Sequence, residues 1–415
     1  MIGNLDPSEK QATIIGAGIS GLLIAYALKK NGFTVKVLEA SARAGGLIGT
    51  EMTAYGIAEK AAHSLLVTPE AKKIFAELKV ELVPVQKDSR ARFIYRNKKM
   101  RKMPLSLWEI ICTLIRFFSK PKKIFPIASG SLEEWGNTYL GKSATQYLLA
   151  PFITGIFATS PRLLLAKLAF PKLVPSQPYL SLFRHFRTFS KSPRPVMMTP
   201  RIGMSELVSA LTRELHDEIS YDHPVSQLPS DPNLILTVPS AALAKLLTKT
   251  DPHSAEDLLR VQYAPLISIT CFFKSEAFKK PPKGIGVLVP RGEGLRLLGC
   301  LFNSSAFPNR VLNPDHHSFT VMYGGTEDSE ALQLSDEELT ALLNSELKIL
   351  LQTREPALSL TITRWNRAIP IYSTDLKKAH DSLKTGFCSI SGQIIFNNFS
   401  KEVSIRSLIN ATLHF

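Results

Sequence analysis

Apolar and polar positions over the first forty residues predict a strand at 12–15, a glycine-rich turn at 16–21, a helix over 22–31 closed by Gly32, and a second strand at 34–38. That order is half of a doubly wound unit with parallel strands. From 105 to 195 the pattern changes to long apolar-periodic stretches with few strand signals, which predicts an inserted helical region. β-rich runs at 266–273, 286–290, 297–302 and 318–323, separated by turn residues, predict a largely antiparallel sheet. A helix is expected over 336–351 and a strand over 359–364. The expected fold is α/β: a split Rossmann-like nucleotide domain (1–80, 196–250 and 355–415), a mixed-sheet substrate domain (81–100 and 251–354), and a helical insertion (101–195).

Composition narrows the class. The chain has 415 residues, 45% of them hydrophobic and 20% charged, enough for two or three domains with large cores. Disorder, collagen and a disulfide scaffold are excluded, because apolar content is ordinary and only Cys112, Cys271, Cys300 and Cys388 occur, far apart. That spacing offers no metal site and fits a reducing cytosol. The uncharged run 11–28 is too short and too glycine-rich for a membrane span or a signal core. A net charge of +15 calls for an anionic partner: lipid, metabolite or nucleic acid.

Gly16, Ala17, Gly18, Ile19, Ser20 and Gly21 form GxGxxG between the expected strand and helix, where the motif acquires meaning. Gly16 permits the tight turn, Gly18 lets backbone approach a pyrophosphate, and Gly21 lets helix and strand pack, while the helix N-terminus presents amides to the anion. Glu39, followed by Ala40, closes the second strand, where a carboxylate holds ribose hydroxyls and repels a 2′-phosphate. Arg43, Ala44, Gly45 and Gly46 then resemble the extended FAD signature of the flavin amine oxidase superfamily, so FAD is the expected cofactor.

Further segments resemble one branch of that superfamily, the protoporphyrinogen or coproporphyrinogen oxidases. The similar segments are Arg92-Phe93-Ile94-Tyr95 with Met103-Pro104; 149–158; 284–290; Leu298-Gly299-Cys300; Tyr323-Gly324-Gly325; and Arg364-Trp365 with 368–372. The resemblance implies an oxidase that converts a porphyrinogen to the porphyrin with oxygen as acceptor, in haem biosynthesis. It implies that Arg92 pairs with a substrate propionate, a role its planar, bidentate guanidinium suits. Gly155 would sit against the tetrapyrrole, with Phe272 as an apolar wall. Ala61, Ala62, His63 and Ser64 match the stretch along the flavin, Val225 the adenine edge, and Trp365, Val403, Ser404 and Ile405 further flavin contacts. No acid–base pair, nucleophile or metal triad is expected, since flavin and substrate carry the chemistry.

Near the C-terminus, Lys401-Glu402 and Arg406-Ser407 stand where the family has small residues and a Gly-Asp-like pair. Another amine-oxidase-like flavoenzyme and a flavin-poor tetrapyrrole carrier therefore stay open as alternatives. The apolar stretch 105–118, followed by Lys120, Lys122 and Lys123, together with Arg184, Arg187, Lys191 and Arg194 interleaved with Phe183, Phe186 and Phe189, reads as a basic amphipathic surface for anionic lipid. No nucleic-acid motif accompanies it. The expectation is a cytoplasmic protein held peripherally at a membrane, its oligomeric state left open.

Overall fold

The computed structural model describes residues 2–175, 177, 180–187, 194–400 and 404–412. The strand Gln11–Ile15, the helix Ile19–Lys30 and the strand Thr34–Leu38 follow the expected order. The helix opens earlier than periodicity suggests, because its first turn runs over the glycines: a Cβ on Gly21 would lie 1.9 Å from the Gly16 carbonyl oxygen. These two strands sit in a five-stranded sheet, all parallel, in the order 219–220, 34–38, 11–15, 234–236, 393–395. The sheet thus gathers the start, middle and end of the chain. Ile14, Leu22, Leu28 and Val37 bury against Leu211 of the helix Ser205–Glu214 and Ile409 of the helix Ile405–Thr412. Each such apolar side chain contributes roughly 1.5–3 kcal/mol on burial.

A second sheet has seven strands, in the order 359–370, 263–274, 316–324, 299–301, 286–288, 92–96, 99–101. It is antiparallel except where 286–288 runs parallel to 92–96. The strand Ser359–Pro370 runs six residues past its expected end, because the strand Tyr263–Lys274 pairs with it as far as Pro370. One face is dry: Tyr95, Ile267, Ile269, Cys271, Phe273 and Val321 pack with leucines of the helix Asp336–Leu351. Side-chain alternation puts Arg92, Ile94 and Arg96 on the other face.

That other face is roofed in part by the helical region. The helix Leu107–Phe118 starts at a capping box in which Ser106 and Glu109 satisfy each other's backbone amides, and Ser131 with Glu134 repeats the device at the helix Leu132–Tyr139. A π-helical turn, Thr145–Leu149, runs directly into the helix Ala150–Phe157. Leu107–Phe118 contains no buried residue. Lys191 and Phe189 of the expected basic surface lie outside the described residues.

A buried ion pair ties the two-stranded hairpin of Thr50–Met52 and Ile57–Glu59 to the short helical turn Pro308–Arg310, which precedes the strand His316–Gly324 of the seven-stranded sheet. Arg310 Nη1 donates to Glu59 Oε1 at 2.6 Å, with 3% and 2% of the side chains exposed. Glu59 also accepts from the Met204 amide at 2.8 Å and the Thr50 hydroxyl at 2.6 Å, and Arg310 Nη2 donates to the His63 carbonyl at 2.8 Å and to Thr199 Oγ1. With so many partners the pair is satisfied, whereas either charge alone would be stranded. We expect Arg310→Ala to lower stability by about 3–5 kcal/mol. In thermal unfolding, Glu59→Gln combined with Arg310→Met should recover much of that loss, and a double variant as unstable as Arg310→Ala would contradict the stranded-charge account.

Candidate cofactor and substrate site

The glycine turn is built by the sheet beneath it. Gly16 takes φ +102°, and Thr237 Oγ1 donates to the Ile15 and Gly16 carbonyls, both at 2.8 Å, pinning the turn to the neighbouring strand. Gly18 caps the helix Ile19–Lys30 without any side-chain acceptor, and no heavy atom lies within 4 Å of where its Cβ would stand. Free helix-terminal amides facing open space make a ready anion site. Gly45 donates from its amide to the Ala17 carbonyl at 2.8 Å and forms a bridge with Gly18, so the 43–46 loop lies against the turn. Arg43 holds that loop through the Gly46 carbonyl at 2.9 Å.

Glu39 accepts from the Ala17 amide at 2.6 Å through Oε2, and from the Ser41 amide and hydroxyl at 2.9 and 2.7 Å through Oε1. These bonds aim the carboxylate at the turn and leave lone pairs for hydroxyl donors. The Ser220 carbonyl accepts from the Glu39 amide, and the Glu39 carbonyl accepts from the His223 amide. Val225 follows two residues later, half-buried, and packs against the hydrophobic core cluster to which Ile15 belongs. Ala40, exposed, lies between Glu39 and Ser41.

The 60–64 stretch meets the second sheet here. Trp365 Nε1 donates to the Lys60 carbonyl at 2.9 Å, and the Arg310 and Thr199 bonds fix the His63 carbonyl. Part of His63 remains exposed, but its Nε2 is shut from solvent with no hydrogen-bond partner. Burial, aided by the Arg310 charge, lowers the His63 pKa to about 3, so its ring stays neutral at physiological pH. Ser404 Oγ accepts from the Ser407 amide at 3.2 Å at the start of the helix Ile405–Thr412, which packs on Ile19–Lys30. Val403, Lys401 and Glu402 lie outside the described residues.

These residues fit FAD. The side-chain-uncapped amides at an open Gly18 suit a pyrophosphate, the Glu39 carboxylate suits a ribose, and the orphaned His63 Nε2 is a buried polar atom for a bound group to satisfy.

Arg92 and Phe272, two of the residues expected to bind substrate, lie on the roofed face of the seven-stranded sheet. Register places Arg92 beside Gly286, Ile94 beside Leu288, Leu288 beside Gly299, Gly299 beside Met322, Met322 beside Ser268, and Leu266 beside Trp365. Gly286, Gly299 and Ser268 are the small residues of this floor, among Ile94, Leu288, Met322, Leu266 and Trp365. Arg92 is exposed at one edge, and Gly155, also exposed, sits so close to Leu288 that a Cβ there would lie 2.7 Å from Leu288 Cδ2. Phe272 is on the same face but does not form an open wall: it is wholly buried, its ring stacked under Tyr55 with centroids 6.0 Å apart. Its expected place as a wall is therefore corrected. Alternation along the strand could identify the face, but Tyr55 comes from a loop more than 200 residues away in the chain.

Sequence reasoning also missed Glu59, Arg310 and Arg96. Nothing local marks a charge whose partner is 251 residues distant. Among the described residues no group of three or more His, Cys, Asp or Glu could hold a metal ion.

A glycine-rich βαβ turn with a ribose carboxylate, joined to a mixed sheet roofed by helices, defines the class of two-part flavoenzymes. The profile of flavin-containing amine oxidoreductases matches residues 19–381, and the chain belongs to that family. It is a flavin-dependent oxidoreductase with FAD as its cofactor. The chain is 26% identical to protoporphyrinogen oxidase 2, chloroplastic/mitochondrial, of Arabidopsis thaliana, over 91% of this chain and 87% of that one. It is 21% identical to coproporphyrinogen III oxidase of Bacillus subtilis, over 93% and 92%. The fold is shared with the crystal structure of a proposed protoporphyrinogen oxidase from Exiguobacterium sp. 255-15, at TM-score 0.77 and 17% identity, covering 99% and 98% of the two chains.

Gly18→Ala tests the cradle. Its backbone, at φ −65° and ψ 171°, accepts alanine, and the added methyl meets nothing in the protein alone. We expect thermal stability of the FAD-free protein to stay unchanged while FAD affinity falls about tenfold or more, as read by flavin fluorescence. Unaltered FAD affinity would remove Gly18 from the pyrophosphate site.

Proposed function

We propose that this protein is an FAD-dependent oxidase of a porphyrinogen, using oxygen as acceptor in haem biosynthesis. The observation that carries the reading is the floor of the seven-stranded sheet: a broad strip of small and apolar residues with an exposed arginine at one edge and Trp365 at the other. Such a strip suits a flat, apolar disc with acidic substituents. The names of relatives matched along nearly the whole chain support the same substrate class.

FAD, which the glycine turn at 16–21 and Glu39 would hold, would supply the two-electron oxidation chemistry, needed three times for the six electrons that separate a porphyrinogen from its porphyrin, with oxygen as the final acceptor. The protein's own share is positioning. Arg92 anchors a propionate through its planar, bidentate guanidinium. Gly155, packed on Leu288, limits the floor where the helical roof meets it. Trp365 and the 60–64 stretch, fixed through the Lys60 and His63 carbonyls, define the cofactor end.

We also propose peripheral attachment to an anionic membrane from the cytoplasm. Among the described residues no helix is long and apolar enough to cross a membrane. The helix Leu107–Phe118 instead exposes Leu107, Trp108, Ile111, Leu114, Ile115 and Phe118 on one stripe, Leu107 and Trp108 at 81% and 72%. Lys120, Lys122 and Lys123 follow, and Phe117 stacks on Phe186 of the basic helix Leu182–Arg187. An apolar face ringed by cations is the pattern of an interfacial helix.

Two measurements test these readings. Purified yellow protein should bleach when a porphyrinogen is added anaerobically, and Arg92→Ala should raise KM about tenfold with little change in kcat, as loss of uniform binding energy does. A flavin that stays oxidised with every porphyrinogen tried would defeat the oxidase assignment. In vesicle flotation, the protein should rise with anionic vesicles and be released by salt, while Trp108→Glu with Ile115→Glu should stay below at any salt. Equal flotation of that double variant would rule out the Leu107–Phe118 surface.

A further inference from the structure

Arg96 is the last residue of the strand Arg92–Arg96 and shares the roofed face with Arg92 and Ile94. Its guanidinium makes three kinds of contact at once. Nη1 and Nη2 donate to the two Glu109 oxygens at 2.8 and 3.0 Å, a bidentate pair. Nη1 also donates to the Pro104 carbonyl at 2.7 Å. Its Cζ lies over the Tyr147 ring, 3.7 Å from the ring centre.

These contacts reach two parts of the roof, Pro104 and Glu109 at the start of one helix and Tyr147 before another. Glu109 is in the capping box of Leu107–Phe118, the helix with no buried residue of its own. Tyr147 is in the π-helical turn that continues into Ala150–Phe157, which carries Gly155. Arg92 lies four residues back along the same strand, about 13 Å away at extended-chain spacing. The hairpin beyond Arg96 is braced separately, with Asn97 and Lys98 in left-handed conformation and the Asn97 amide donating to Glu293 at 2.8 Å. Arg96 therefore stands where the roof is fastened to the strand that bears Arg92. Arg96 and Ser106 hold the Glu109 carboxyl well below the usual carboxylate range, so the pair remains ionised.

We propose that Arg96 is a positioning residue that sets the separation between the Arg92 strand and the Gly155 helix, and with it the width of the substrate cleft. This deepens the proposed function and rests on it in one respect, that Arg92 and Gly155 flank the substrate. Only arginine meets the whole requirement: a planar fork for both carboxylate oxygens and a flat face for the ring. Lysine offers a point charge and no stacking plane.

The test uses FAD-loaded protein with Cys112 and Cys388 changed to serine and spin labels at Lys99→Cys and Ile156→Cys, both exposed positions on either side of the joint. Arg96→Gln should lengthen and broaden the distance between labels, and in unlabelled protein it should raise KM for protoporphyrinogen IX about tenfold while kcat changes less than about threefold. Arg96→Lys should fall between, and Glu109→Gln, which keeps the arginine and its stacking, should reproduce a weaker form of the same shift should Arg96→Gln not fold. An unchanged distance distribution in the folded variants overturns the proposal, as does a lowered melting temperature with KM unmoved, which marks a merely structural pair. If porphyrinogens are not oxidised at all, the substrate reading falls, yet the label distance still decides the role of Arg96.

Discussion

The Glu59–Arg310 pair is the constraint on which the candidate site depends, because it ties the hairpin that follows the glycine turn to the turn Pro308–Arg310 and, through the His63 carbonyl, holds the 60–64 stretch. A buried ion pair gains little stability over an apolar pair of the same shape, since desolvation consumes most of the attraction. Its value here is directional. Two oxygens and a guanidinium fork allow few arrangements, and the bonds to the Met204 amide, the Thr50 hydroxyl and the His63 carbonyl leave one. Gly56 adds a backbone bridge to Val311, and the Leu312 amide donates to the Tyr55 carbonyl, so the same joint is stitched on both sides of the charges.

The chemistry of the site follows from how backbone groups are held rather than from reactive side chains. Thr237 fixes the glycine turn, Trp365 fixes Lys60, and Arg310 fixes His63, each through a carbonyl. His63, the one titratable side chain in the 61–64 stretch, is kept neutral by burial. A protein that leaves the electron chemistry to flavin needs rigidity and exclusion more than acid–base power. The roof carries the helix Ala150–Phe157, packed on Leu288, and an exposed apolar helix whose ion pair to the sheet, among the described residues, is Arg96 with Glu109.

Much of this was legible along the chain. The strand Thr34–Leu38 and the helix Asp336–Leu351 fall on the residues their periodicity marks, because both are amphipathic elements with strong local signals: a glycine stop before the first, and a Ser335–Glu338 capping box at the second. The glycine turn and Glu39 were legible for the same reason, since the close approaches they serve are made within forty residues. Phe272 shows the limit. Its position in the strand gives its face, but its burial comes from Tyr55, and no local pattern announces a distant ring.

The sequence by itself determined the nucleotide turn, the strand and helix order and the amphipathic face of Leu107–Phe118, all of which arise from spacing between near neighbours. Only the tertiary structure decided that Glu59 meets Arg310, that Gly155 lies on Leu288 and that Arg96 joins two parts of the roof. Those pairings are set by how sheets and a helical layer pack against one another, and charge or shape complementarity between residues 13 to 251 positions apart leaves no periodic trace in the chain.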